Sequence, residues 1–272
     1  MVRLAVLGVG AIGRAILDGV AAGQAGNVTL VAVADVAAKA ADLEREARRS
    51  GAAITHEPAE LPAYAPDLIV EAASQHAVRA YAAGWLSRGV DVAPLSVGAL
   101  ADGDVLRELD KAARAAGRRI HIPSGALGGC DALRAARVGG LDSVRLRTSK
   151  PPAALAGAPF FAEHGIDVAQ IDRAITIYEG CAADAVQRFP ANVNVAATVS
   201  LAGIGPDRTC VEIVADPELD HNLHEIIAEG AFGRMHLTFR NAPSPTNPRT
   251  SLLACLSPLA LIERLGSTLQ IG

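Results

Sequence analysis

Aromatic residues are scarce: one Trp, three Tyr and five Phe make up 3% of the 272 residues. A core without large rings must be built from Ala, Val, Leu and Ile, and a 50% hydrophobic composition supplies them. Cysteine is scarcer still. Cys130, Cys181, Cys210 and Cys255 are widely scattered, form no C-x-x-C pair and have no histidine at ligand spacing. Neither a disulfide framework nor a zinc site is supported, and no metal is expected. No charge of one sign dominates, since 25 Lys and Arg against 29 Asp and Glu leave a net −4; bulk electrostatics argues against a nucleic-acid partner. The basic clusters Arg45, Arg48, Arg49 and Arg114, Arg118, Arg119 recur at helical spacing beside acidic residues and read as solvated helix faces. No apolar run approaches the roughly 18 residues that span a bilayer, and the opening apolar stretch is too short for a signal peptide. A soluble, cytoplasmic protein of a reducing compartment is expected.

Present instead is a glycine pattern at the start of the chain. The apolar run from Leu4 enters Gly8-x-Gly10-x-x-Gly13, with Ala11 and Ile12 inside it, and a helical pattern follows at once. A second apolar run, Val28 to Ala34, ends at Asp35. Strand, glycines, helix and acidic residue together form the dinucleotide-binding fingerprint: Gly8 for the tight turn, Gly10 for backbone approach to a pyrophosphate, Gly13 for close packing of helix on strand. The helix N-terminus directs free N–H groups at the phosphates. Asp35 is placed to accept hydrogen bonds from the adenosine ribose, which favours NAD over NADP, while Lys39 or Arg14 softens that preference.

To about residue 120, strands (Arg3–Gly8, Val28–Ala34, Ala53–Thr55, Asp67–Ala72, Val90–Pro94, Arg119–Ile122) alternate with Ala-rich helices, predicting a Rossmann-type, doubly wound parallel sheet. From about 123, longer runs alternate with period two: Val144–Thr148, Arg173–Tyr178, Thr209–Ala215 and Arg234–Phe239. Helical segments at Ala182–Phe189 and Val193–Leu201 interrupt them. The fold class is therefore α/β, with a second α+β domain built on an open mixed or antiparallel sheet. The expected division is a dinucleotide-binding domain 1–122, a substrate and oligomerisation domain 123–245, and a C-terminal helix 246–272 packing back on the first domain.

Four polar constellations lie in the second half. Ser124-Gly-Ala126-Leu-Gly128-Gly129 exposes backbone N–H groups ahead of a helix and suits a carboxylate or carboxamide, or serves as a hinge. Lys150 ends a strand before Pro151-Pro152, where it can clamp a carboxylate or simply be solvated. Asn192 and Asn194 flank a helix start; one is an N-cap candidate and the other is left to meet a cofactor amide. His221, between Asp220 and Asn222, follows an apolar strand directly and is a candidate proton shuttle at neutral pH, or a loop histidine without duty.

With Phe189-Pro-x-Asn192-x-Asn194, Ile213-Val-Ala-Asp216-Pro, Asp220-His221-Asn222 and Asn247-Pro-x-Thr250-Ser251 in view, the chain resembles the L-aspartate dehydrogenase family nearly end to end. The resemblance implies reversible NAD(P)-dependent oxidative deamination of L-aspartate to iminoaspartate, which hydrolyses to oxaloacetate and ammonia or feeds NAD biosynthesis. It puts the catalytic histidine on His221 and second-half cofactor contacts on Ala126 and on Asn192 or Asn194. Lys150 and the Gly128–Gly129 amides are then candidates for the two substrate carboxylates, with Asn222, Thr250 and Ser251 behind them. A homodimer is expected from the resemblance and from an apolar second-domain sheet. The alternatives are another two-domain reductase, of the dihydrodipicolinate reductase or homoserine dehydrogenase kind, and a non-catalytic NAD(H) sensor.

Overall fold

Short apolar runs, each too brief for a helix, become strands buried on both faces. In the computed structural model, which describes residues 1–190, 194–245 and 247–271, the first unit comprises Met1–Pro123 together with the chain from Cys255 onward. It opens β1 (Val2–Leu7), α1 (Ala11–Ala21), β2 (Val28–Ala34), α2 (Ala40–Ser50) and β3 (Ala53–Thr55). It continues β4 (Leu68–Glu71), α3 (Gln75–Ser87), β5 (Asp91–Pro94) and α4 (Gly103–Ala116). The sheet order is β3-β2-β1-β4-β5, parallel throughout. Winding reverses between β1 and β4, and ligands of such sheets sit beyond the strand ends at that reversal.

The expected strand Arg119–Ile122 is reduced to a single bridge, Ile120 to Val92. Polar Arg118, Arg119 and His121 surround it, and Pro123 offers no N–H to extend a ladder.

The second unit runs Ser124–Ala254. It holds α5 (Cys130–Gly139), β6 (Leu141–Lys150), the short α6 (Pro152–Leu155) and α7 (Pro159–His164), β7 (Ile175–Cys181), α8 (Ala182–Arg188) and α9 (Asn194–Ala202). There follow β8 (Cys210–Ala215), β9 (Asn222–Gly230), β10 (Gly233–Asn241), β11 (Pro243–Ser244) and β12 (Asn247–Ser251). The main sheet is mixed, in the order β10-β9-β6-β8-β7, with β6 and β8 its parallel pair. β9 was not among the expected strands. Its inward positions are Asn222, His224, Ile226 and Ala228, and two polar residues on the buried face erase the alternation by which a half-buried strand is recognised. The turn-rich 243–248 stretch contributes to the β11–β12 hairpin. The last helix, α10 (Leu252–Gly266), falls within the 246–272 segment expected to be helical.

The inner face of this sheet is apolar towards one end and polar towards the other. Its outer face is charged, not apolar: Arg145 meets Glu179 at 3.0 Å, Arg147 meets Glu212 at 3.7 Å and Arg234 meets Glu229 at 3.2 Å. The expectation of an apolar sheet available for dimerisation is corrected accordingly. In the first unit, α10 closes the core by setting Leu259, Leu261 and Ile262 against Leu4, Ile16 and Leu30. Among the described residues no helix is long and apolar enough to cross a membrane.

Candidate active site

In the first unit, β1 runs into the glycine turn and α1 leaves it. Gly8 has φ +104°, and a Cβ there would stand 2.6 Å from the Ala72 carbonyl oxygen. A Cβ on Gly13 would collide with the Gly8 carbonyl. Gly10 faces open space, and no side chain caps the first turn of α1. Uncapped helix-start amides beside an empty glycine surface suit a pyrophosphate. Asp35 braces the turn: its carboxylate accepts the Val9 and Val36 amides, both at 2.7 Å. A carboxylate has about four lone-pair sites, so capacity remains for ribose hydroxyls. Arg14 is drawn to Asp42 at 2.6 Å, and Lys39 approaches the same carboxylate at 4.0 Å.

Glu71, which the sequence reading passed over, holds the rim of this turn. It is fully buried at the end of β4. Its carboxylate accepts the Ala73 amide at 2.8 Å, the Ser74 amide at 2.7 Å, the Ser96 amide at 3.1 Å and the Ser96 hydroxyl at 3.0 Å. Burial raises its pKa, against the pull of those donors. The loop it clasps carries the Ala72 carbonyl that crowds Gly8. Glu71→Leu leaves several buried donors unmet and should lower unfolding free energy by about 2–5 kcal/mol in urea titrations; a loss below about 0.5 kcal/mol would show the clasp to be dispensable.

In the second unit, β6 ends and β9 begins at the same end of the sheet, Ser149 pairing with Leu223. His221 immediately precedes β9. Its Nδ1 lies 2.5 Å from Asp220 Oδ1, and its Nε2 is buried with no hydrogen-bond partner among the described residues. The carboxylate fixes the proton on Nδ1 and leaves Nε2 with a free lone pair. The hydrogen bond from His221 in turn lowers the Asp220 pKa. Lys150, only 6% exposed, has its pKa pushed down to about 8 by burial. His224 is 1% exposed, with Nδ1 3.2 Å from Thr148 Oγ1. Burial first, and then the Lys150 charge, push its pKa down to about 3. Asn222 is buried and donates to Ser251 Oγ at 3.1 Å.

Comparison with known proteins decides the kinship. Residues 131–265 match the model of the aspartate dehydrogenase C-terminal domain, and residues 8–123 match that of the homoserine dehydrogenase NAD-binding domain. An L-aspartate dehydrogenase of Methanocella arvoryzae is 41% identical over 276 residues, covering 100% of both chains. The chain belongs to the L-aspartate dehydrogenase family. A second relative with that name, from Methanosarcina acetivorans, is 49% identical over 206 residues, 76% of each chain. A crystal structure of aspartate dehydrogenase from Thermotoga maritima matches with TM-score 0.79 and 27% identity, covering 100% of both chains.

Within this aspartate dehydrogenase family member the other expected site residues fall as follows. Ala126 is buried, and its carbonyl accepts Asn241 Nδ2 at 2.9 Å. Phe239 and Leu237 stand close to where side chains on Gly128 and Gly129 would go, and Gly129 has φ +75°, a conformation that itself favours glycine. Thr250 Oγ1 accepts Asn247 Nδ2 at 3.2 Å, and Ser251 is buried beside Asn222. Asn194 begins α9; Asn192 lies outside the described residues. Among the described residues no group of three or more His, Cys, Asp and Glu is arranged to hold a metal ion.

His224 and Asn241 were missed because each is a polar residue facing inward from a strand. Only the pairing of Asn222 with Asn241 and of Thr148 with His224 puts them on one buried face. The His224 ring is kept neutral by folding, so its contribution to stability is whole above the unfolded value near 6.5 and is lost as pH falls towards about 3. In that window the group should cost about 1.4 kcal/mol per pH unit. Thermal midpoints measured from pH 6.5 to 4 should fall less steeply for His224→Gln than for the wild type; parallel slopes would refute the assignment.

Proposed function

We propose that the protein catalyses reversible NAD(P)-dependent oxidative deamination of L-aspartate, with His221 as its general base. The observation that carries this reading is the buried, unpartnered Nε2 of a histidine whose other ring nitrogen is pinned by Asp220. A protonated amine has no lone pair to drive hydride departure from Cα. Nε2 is suited to take that proton or, with the proton passed on to solvent, to activate the water that attacks the imine. Each role contributes typically 10²–10⁴-fold. The dinucleotide, when bound, supplies the hydride acceptor.

Lys150 is assigned to a substrate carboxylate. Its burial keeps water from competing for the ion pair, and a pKa near 8 leaves most of it charged at neutral pH. His224, neutral beside it, adds no second positive charge to the pocket floor. Asn222 and Ser251 offer further hydrogen-bonding groups at the same strand start. Oxidation followed by hydrolysis gives iminoaspartate, then oxaloacetate and ammonia. Following NADH absorbance with oxaloacetate plus ammonia, and then with aspartate plus NAD, tests the reading; absence of turnover in both directions with either cofactor would refute it. The expected homodimer is checked by light scattering on the purified protein.

Asp35 is assigned to the adenosine ribose. Asp35→Ser should move the ratio of kcat/KM for NAD over NADP about tenfold or more towards NADP, because repulsion of the 2′-phosphate and the ribose contact are lost together. The bracing of Val9 is lost with both cofactors and cancels in the ratio. An unchanged ratio would place Asp35 away from the ribose.

A further inference from the structure

We propose that Cys181 and Cys210 form a reversible disulfide site. They are direct cross-strand partners at the end of the antiparallel β7–β8 pair. The Ala182 N–H donates to the Thr209 carbonyl at 2.9 Å. That bond belongs to the neighbouring residue pair and makes Cys181–Cys210 a non-hydrogen-bonded pair. In such pairs Cα atoms lie about 4.5 Å apart with side chains on one face, inside the roughly 4.4–6.8 Å that disulfides span.

The two thiols are presented rather than buried. Both residues are partly exposed, on the outward face that also carries Glu179 and Glu212. Both backbones are also held in place. The Tyr178 hydroxyl donates to the Cys181 carbonyl at 3.0 Å, and the Thr209 amide, next to Cys210, donates to the Gly205 carbonyl at 3.1 Å. Cys130 and Cys255 are not opposed to any cysteine in the strand register. The scattered spacing of the four cysteines, which argued against any disulfide, concealed the pair because 28 residues, 182–209, separate its members. Those residues include α8 and α9, so closure ties the start and end of that segment together.

The oxidant is a low-molecular-weight disulfide such as oxidised glutathione. One protein thiolate attacks a glutathione sulfur, forming a mixed disulfide and releasing one glutathione thiolate. The second protein thiolate then attacks the protein-side sulfur, forming the Cys181–Cys210 bond and releasing the second glutathione. The protein loses two hydrogens and two electrons, and two glutathione molecules are reduced. Burial raises the Cys210 thiol pKa, opposed by neighbouring Arg145, so exchange is best run at mildly alkaline pH.

The test uses the intact protein with oxidised glutathione at about pH 8.5, acid-quenched and alkylated. The expected result is a pre-alkylation mass loss of about two hydrogens and a Cys181–Cys210 linked peptide that dithiothreitol abolishes. In Cys181→Ser, glutathione should stay on Cys210, because no second thiol stands by to displace it. Stable glutathione on either cysteine of the wild type without the linked peptide, linkage to Cys130 or Cys255 instead, or two unreacted thiols would each overturn the proposal.

Discussion

Replacing His221 by alanine should lower kcat by about 10²- to 10⁴-fold while leaving NADH affinity and the folded structure intact. The ring is the only titratable side chain at this strand start whose second nitrogen is buried without a partner among the described residues. Truncation therefore removes a base without stranding any donor or acceptor in the protein. The Asp220 carboxylate it abandons is almost fully exposed and returns to water. Asp220→Asn should act in the same direction and more weakly, since an amide at that position no longer enforces the proton on Nδ1. Steady-state kinetics from pH 6 to 9, beside an NADH dissociation constant and a melting curve, check the result. Near wild-type kcat across that range would remove His221 from the mechanism, and a parallel collapse of stability would make its role structural.

Lys150→Met should cost roughly 10- to 150-fold in kcat/KM for aspartate, the size of a lost charge-assisted contact of about 1.5–3 kcal/mol. NADH binding should be unaffected. Methionine is close in length and removes a charge that the fold holds under strain of desolvation, so the variant is expected to fold. The depressed pKa adds a signature that simple truncation does not produce. Lys150 loses its charge as pH rises through about 8, so wild-type kcat/KM should fall on the alkaline side with an inflection there. In Lys150→Met that limb should vanish. Equal losses in substrate and cofactor use would point to a structural lysine. An unaltered alkaline limb would show that another group titrates.

Much of the first unit was legible in the chain itself. Parallel strands buried on both faces read as continuous apolar runs, and the requirements at Gly8 and Gly13 are local, set by one turn between one strand and one helix. Glu71 was not legible, because an acidic residue at the end of an apolar run looks the same whether it faces solvent or collects four donors. The β9 strand was hidden for a related reason: its buried face carries Asn222 and His224, and a polar residue pointing inward imitates a loop.

The residues His221 and Lys150 were visible as candidates, each with a bland alternative beside it. Burial separates those alternatives. Lys150 is enclosed at the end of β6 and its pKa falls, and the His221 Nε2 is enclosed without a partner. The charged outer face of the second sheet corrected an expectation for a converse reason. Composition reports how much apolar surface exists, and only strand register tells which side of a sheet receives it.

By itself the sequence determined the dinucleotide-binding half, the presence of a second sheet, left open as mixed or antiparallel, and the short roster of polar residues able to do chemistry, because periodicity and glycine spacing are properties of neighbouring residues. Only the tertiary structure decided that Lys150, His224 and Asn222 share one buried strand end, that Glu71 is a clasp, and that Cys181 opposes Cys210. Those facts depend on register and burial, which couple residues far apart in the chain and leave no local pattern to read.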